Sequence, residues 1–343
     1  MQEEILLMEV EEARQEILAH IQPLEPEAVP LLEALGRTLA EDIQATENIP
    51  PFDNSAMDGY AVRAADVGGA GPQHPVTLRV IANLAAGVAP AEAVGPQTAI
   101  RIMTGAPLPP GADAVVPFED TDEGLAGGTA SPGQVQIMRA VRAGDNVRRS
   151  GEDVHQGEVV LERGVALRPQ EIGLLASLGR PSVRVTRRPR VAVLATGDEL
   201  VAIDQPLAPG QIRNSNSYSN AAQVLRYGGI PLLLPVARDT VADVTARIEQ
   251  GIAQGADLFL TSGGVSVGDF DLVKRVLHDL GHVDFWQVRM QPGKPMAFGH
   301  LRGVPLIGMP GNPVSAMVVF EQFARPVLLK MLGRRHLLNP EIE

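Results

Sequence analysis

The chain has 343 residues, a formal net charge of −12 and 45% hydrophobic residues, the balance of a folded globular protein rather than a disordered one. It contains no cysteine, which excludes disulfide frameworks, thiolate zinc sites, iron–sulfur clusters and cysteine nucleophiles. No apolar run approaches the ~18 residues of a spanning helix, and the start Met1-Gln2-Glu3-Glu4 lacks the basic region of a signal peptide. A cytoplasmic protein of two or three domains without a membrane partner is therefore expected.

From Leu7 to Ile21 the apolar residues Leu7, Val10, Ala13, Ile17 and Ile21 recur at spacings of three and four, which predicts an amphipathic helix. Pro23 and Pro26 end it, and a second helical stretch is expected over Leu31 to Leu39. The irregular run Asn48 to Ser55, with adjacent Pro50 and Pro51, marks a boundary. Short apolar runs at Val76–Ile81, Ala99–Met103, Ala114–Phe118 and Val135–Met138, set apart by Gly and Pro, predict a compact β-rich module. A strand near Glu158–Leu161 and a helix near Gln170–Leu178 return the chain to the N-terminal helices, so the module reads as an insertion.

After Arg190 strands and helices alternate: strand Val191–Ala195, helix Ser215–Tyr227, strand Pro231–Val236, helix Val241–Ala253, strand Leu258–Thr261, helix Asp271–Leu280, strand Val304–Gly308 and a helix from Pro313. Such alternation predicts an α/β doubly wound domain, a mostly parallel sheet with helices on both faces and ligands at the carboxyl ends of its strands. The expected boundaries are a discontinuous α+β linker domain (1–47 and 141–187), the inserted β-rich domain (48–140), the α/β domain (188–333) and a tail (334–343).

Three loops follow strands of the α/β domain. Thr196-Gly197-Asp198-Glu199 offers two adjacent carboxylates, suited to a hard cation such as Mg²⁺ and equally to turn formation and helix capping by Asp198. Ser262-Gly263-Gly264-Val265-Ser266-Val267-Gly268-Asp269 runs from a strand into a helix. Its glycines allow backbone N–H groups to approach a phosphate; Asp269 and Asp271 can also simply complement the helix dipole. Met309-Pro310-Gly311-Asn312-Pro313 ends a strand and opens a helix with Pro313 where proline is tolerated.

The segment Gly264-Val265-Ser266-Val267-Gly268 also satisfies G-x-S-x-G, the nucleophile elbow of a serine hydrolase. Ser266 lies too far beyond its strand for that sharp turn, and no oxyanion-hole motif accompanies it. Residues 139–190 carry eleven Arg against six acids, an arginine face able to attract an anion. Overall acidity and an aromatic content of 3% argue against nucleic-acid binding. Lys294, one of only three lysines, sits in the turn Pro292-Gly293-Lys294-Pro295. The seven histidines show no H-x-H or H-E-x-x-H spacing, so no zinc site is predicted.

The run Pro51-Phe52-Asp53-Asn54-Ser55-Ala56-Met57-Asp58-Gly59-Tyr60-Ala61-Val62 resembles the hallmark of the molybdopterin molybdenumtransferases, the MoeA and gephyrin E-domain family. Arg101–Pro107 (RIMTGAP), Asn146–Asp153 (NVRRSGED), Ala195–Leu200 (ATGDEL), Thr261–Asp269 (TSGGVSVGD), Pro292–Pro295 (PGKP) and Leu306–Ala316 (LIGMPGNPVSA) agree with that family in order.

The resemblance implies insertion of molybdate into adenylylated molybdopterin, with Mg²⁺ as helper and AMP released. It also implies a homodimer with the site between the inserted domain of one subunit and the α/β domain of the other. Asp58, Thr104, Asp153, Glu199, Asp239 and Asp271 match the family's functional set. On this basis Glu199 and Asp271 are expected to hold Mg²⁺, while Ser262, Gly263, Gly264, Ser266, Pro310 and Asn312 cradle the nucleotide portion. Lys294 and Arg148 are expected to attract the pterin phosphate or molybdate, and Asp58 with Thr104 to reach the reacting end. Taken singly, Asp58, Thr104 and Asp239 also fit plain turn and cap roles.

A molybdopterin adenylyltransferase and cofactor-delivery proteins are the implied partners. Two departures stand out: the chain stops at Glu343, where relatives usually continue into a small all-β domain, and Gln291 replaces a frequent basic residue before the Pro-Gly-Lys-Pro turn. A non-catalytic dimeric scaffold of the gephyrin type is the alternative from another class.

Overall fold

The computed structural model describes residues 7–125, 133–263, 276 and 279–338 and divides into two compact units, Met1–Asp42 with Leu161–Glu343, and Ile43–Val160. At the N-terminus Leu7–Met8 form a strand (β1) and the helix begins only at Val10 (α1, Val10–Ala19). The expected helix over Leu7–Ile21 is thus shortened, because Leu7 and Met8 pair in parallel with Gln287 and Val288 at a sheet edge. The inward spacing of Ala13 and Ile17 is as expected, and Ile21 is buried just beyond the helix.

A strand β2 (Pro26–Pro30) follows, and of the second expected helix, Leu31–Leu39, only a single 3₁₀ turn is present, Leu31–Ala34. Gly36 at φ +76° stops it, and the backbones of Thr38 and Leu39 bond instead to Thr186 and Val165.

In the second unit β3 (Gly59–Val62), β4 (Val76–Leu84), β5 (Thr98–Ile102), β6 (Ala114–Pro117) and β7 (Gln134–Ile137) form one sheet in the order β6–β3–β5–β4–β7. Four of these strands match the expected apolar runs. The fifth, β3, is buried at every residue and lies within the Asp58-Gly59-Tyr60 motif, where strand periodicity gave no signal. Gly59 is required there, since any Cβ would overlap the Val116 carbonyl on β6.

Beside it the cross-strand pair Tyr60 and Arg101 shares the carboxylate of Glu123. Tyr60 donates at 2.6 Å and Arg101 at 2.7 Å, and the guanidinium lies 4.4 Å over the Phe118 ring. Glu123 is only 4% exposed, so its charge has to be paired to be tolerated.

Back in the first unit, α2 (Pro169–Ser177) and β8 (Ser182–Thr186), antiparallel to β2, lead into the α/β part. Its elements are β9 (Arg190–Ala195), α3 (Ser215–Arg226), β10 (Ile230–Leu233), α4 (Val241–Ala253), β11 (Leu258–Ser262), β12 (Gly281–Val288), β13 (Pro295–Leu301), β14 (Val304–Met309) and α5 (Pro313–Val319). The sheet order is β1–β12–β13–β14–β11–β9–β10, with β13 antiparallel to its neighbours and every other pairing parallel.

Successive residues of β9 face opposite ways. Val191 and Val193 join the core with Ile17, Phe320 and Phe323, while Ala192 and Leu194 join Val244, Ile248 and Phe259. Burial on both faces explains the continuous apolar run. Thr240 caps α4 by accepting from the Asp243 N–H, and Gly228 at φ +90° follows α3, both as the sequence suggests.

The strands β12 and β13 were not anticipated; their alternation is masked by His282, Asp284 and His300 on the partly solvated edge. Arg302 and Gly303, both at positive φ, form the two-residue turn from β13 to β14, the backbone such hairpins favour. Most of the expected helix 271–280 lies outside the described residues.

Arg101 first, and Tyr60 further, hold the Glu123 carboxyl below its usual range. A depressed folded pKa means that the unfolded chain binds more protons as pH falls. The stabilisation is therefore full above the unfolded value of about 4.3 and is lost below it. Glu123→Gln should lower the melting temperature at pH 7, and the gap to the parent should shrink at about pH 3.5; an equal gap at both pH values would contradict the pairing.

Candidate functional site

The parallel strands β9, β11 and β14 are neighbours, so the loops after their carboxyl ends meet. Gly263, at φ +92°, leaves no room for a Cβ, which would sit 2.9 Å from the Thr196 carbonyl oxygen, and its N–H donates to the Met309 carbonyl at 3.2 Å. Glu199 folds its carboxylate back over Gly197, where a Cβ would come within 2.5 Å of Oε2. These approaches leave a cleft of about 90 Å³ lined by Thr196, Glu199, Asn214, Asn216, Ser262 and Gly263, with Gly311 and Pro313 at its side.

Polar groups around the cleft are mostly committed to building it. The Asn214 side chain caps α3 by accepting from the Ser217 N–H at 3.2 Å, and Asn312 caps α5 by accepting from Val314 and Ser315. Arg213 lines the cleft, but its guanidinium donates to the Ile203 and Gln205 carbonyls. Asn216 donates through Nδ2 to the Gly311 carbonyl at 2.8 Å, while its Oδ1 is buried without a partner among the described residues. A lone buried acceptor of this kind costs about 1–3 kcal/mol unless a ligand or water donates to it.

The expected site residues divide accordingly. Glu199, Ser262 and Gly263 line the cleft; Asn312 shapes it, and buried Pro310 precedes it. Asp239 does not line it: its N–H lies 3.4 Å from Asp198 Oδ1, which ties its loop to the one after β9. Lys294 stands exposed in the β12–β13 turn at the same end of the sheet, and its ammonium makes no hydrogen bond or ion pair among the described residues. Gly264, Ser266 and Asp271 lie outside the described residues. The cleft residues Asn214 and Asn216 were overlooked. Their signal is the polar run Asn214-Ser215-Asn216-Ser217 at the start of an expected helix.

In the other unit Asp58 and Thr104 come together. Asp58 Oδ1 accepts from the Thr104 N–H at 2.7 Å and from its hydroxyl at 2.8 Å. The Thr104 N–H foremost, then the hydroxyl, hold the Asp58 carboxyl below its usual range, so at neutral pH it is an acceptor only. Arg149 is bound to Asp53 at 2.6 Å, whereas the exposed Arg148 next to it has no such partner among the described residues. Asp153 is exposed, with its N–H on the Ile49 carbonyl.

Residues 8–179 match the family model described as "MoeA N-terminal region (domain I and II)", and residues 192–330 match "Probable molybdopterin binding domain". Molybdopterin molybdenumtransferase 2 of Mycobacterium tuberculosis is 43% identical over 330 residues, covering 94% of this chain and 80% of the relative. The chain belongs to the molybdopterin molybdenumtransferase (MoeA) family.

The family's enzyme from Haemophilus influenzae is 40% identical over 335 residues, covering 97% of this chain and 80% of its own. The crystal structure of a molybdopterin biosynthesis MoeA protein from Pyrococcus horikoshii superposes with a TM-score of 0.82 at 34% identity, covering 97% of this chain and 81% of that one. Membership makes the chain a transferase of molybdenum cofactor biosynthesis, and these relatives favour neither a serine hydrolase nor a scaffold.

Removing the Thr104 hydroxyl should release part of the restraint on Asp58 without opening the core. In Thr104→Val the Asp58 carboxyl titrates at higher pH than in the parent, read by carboxyl-selective NMR. An unchanged titration would show that the hydroxyl does not hold the carboxylate.

Proposed function

We propose that the chain inserts molybdate into adenylylated molybdopterin with Mg²⁺-dependent release of AMP. The observation that carries this reading is the cleft after β9, β11 and β14, where one carboxylate faces a glycine loop whose backbone is drawn in close. Phosphate oxygens fit such a loop end. Ser262, Gly263, Gly264, Ser266, Pro310 and Asn312 cradle the nucleotide phosphates. Asn216 Oδ1 awaits a donor from the ligand.

The donor set suits Mg²⁺. That ion usually takes one or two carboxylates and completes its shell with water and substrate phosphates, and Glu199 at the cleft, with Asp271, supplies this without a full protein cage. Among the described residues no group of three acidic or histidine side chains forms such a cage. When bound, the ion would neutralise charge building on the oxygens of the phosphoanhydride being broken.

Lys294 and Arg148, both without protein counter-ions among the described residues, attract the pterin phosphate and molybdate. Asp58, held by Thr104, accepts hydrogen bonds from the reacting oxyacid, and Asp153 and Asp239 complete the acidic set. An adenylyltransferase supplies the substrate and delivery proteins take the product.

The active form is a homodimer whose two subunits share each site. Tyr218 and Leu225 on α3, with Val314 and Met317 on α5, are exposed large hydrophobic side chains, a surface of the kind that a second copy covers. No described helix is long and apolar enough to cross a membrane.

Purified chain incubated with adenylylated molybdopterin should release AMP only with both molybdate and Mg²⁺; release that ignores either would refute the scheme. Glu199→Gln should slow release by about 100-fold or more and weaken its Mg²⁺ dependence. Mixing inactive Asp58→Ala and Glu199→Gln chains should restore part of the activity, and a mixture as inactive as its components would argue against a shared site.

A further inference from the structure

Histidine spacing along the chain gives no metal motif, but the fold gathers three of the seven histidines. In the β12–β13 pairing His282 lies directly opposite His300, which puts both imidazoles on one face with Cβ atoms about 4.5–5.5 Å apart. His20, just after α1, sets its ring edge-on to His300 with centroids 5.6 Å apart at 67°, and 5.8 Å from Phe298. Two imidazoles bound at about 2.0–2.1 Å to one tetrahedral ion have centroids at nearly this spacing.

His20 already has a carboxylate behind it, and His282 has one in its present rotamer. Glu16 Oε1 lies 3.3 Å from His20 Nε2, and Asp284 Oδ1 lies 3.4 Å from His282 Nε2. A carboxylate on one ring nitrogen fixes the tautomer and leaves the other nitrogen with its lone pair outward, the usual support for a metal-bound imidazole. His300 makes no hydrogen bond or ion pair among the described residues.

We propose that His20, His282 and His300 form a binding site for one borderline divalent transition-metal ion, such as Zn²⁺ or Ni²⁺, on the edge of the α/β sheet. Three imidazoles suit such ions, whereas Mg²⁺ prefers oxygen. Among the described residues no three such side chains yet converge on one point. The site closes when the His282 side chain, 84% exposed, leaves Asp284 and turns to another staggered rotamer.

The site lies at the start of β12, about 20 Å of strand from the end that carries the β12–β13 turn and the cleft loops. An ion here would tie the end of α1 to the β12–β13 hairpin without touching the nucleotide site, so the inference is independent of the proposed reaction.

The test is calorimetric titration of the metal-free full chain with Zn²⁺, and separately Ni²⁺, in buffer containing millimolar Mg²⁺. One ion per chain should bind, with a rise in melting temperature. His282→Asn, at an exposed ring that the fold does not need, should weaken binding by about tenfold or more, and Glu16→Gln by about tenfold. Glu199→Gln should leave binding unchanged. Absence of saturable binding, or binding that persists in a His282→Asn/His300→Asn double variant, overturns the proposal.

Discussion

The cleft of the α/β part depends on how closely the backbone after β11 approaches the backbone after β9. Gly263 can sit against the Thr196 carbonyl only because it has no side chain and adopts positive φ. A Cβ would push the two strand ends apart and fill the space that forms the cleft. Gly197, also at positive φ, lies beneath the Glu199 carboxylate, which folds inward over it. Three neighbouring parallel strands thus frame a cleft at their carboxyl ends, where doubly wound sheets place ligands.

The two units solve different electrostatic problems. Around the cleft, side-chain amides are spent on capping α3 and α5, so the loop conformations are fixed before any ligand arrives. Such preorganisation lowers the cost of ordering on binding. In the inserted unit one aspartate is restrained by a neighbouring threonine, and one strand away a buried glutamate is neutralised by an arginine and a tyrosine. The exposed acid is left with acceptor capacity facing water, while the buried one is fully satisfied.

Much of this was legible in the chain. Apart from the helix 271–280, most of which lies outside the described residues, the alternation after Arg190 and the four apolar runs of the inserted unit correspond to strands and helices, because hydrophobic period reports burial directly. Thr240 and Pro313 mark helix starts as capping chemistry requires. What escaped was set by tertiary pairing. Leu7 and Met8 carry a helical period yet add a strand to a sheet edge, and β12 and β13 mix polar residues into a half-solvated margin. Asp58 and Thr104 were named from motifs, but no pattern along the sequence shows that one binds the other. Taken alone, Asn216 gives no sequence signal because its meaning lies in one buried oxygen that has no partner among the described residues.

The reversed strand β13 gives the sheet two turns of opposite standing. The turn before it carries Lys294 to the cleft end; the turn after it, Arg302-Gly303, points to the far end and is built from two residues at positive φ. Drift in length at the first would displace an exposed cation at the cleft end, whereas the second is a short surface link remote from the cleft, where chains tolerate added sequence best. The Arg302-Gly303 turn is therefore the natural place to splice in a reporter or a surface tether while the cleft end stays intact.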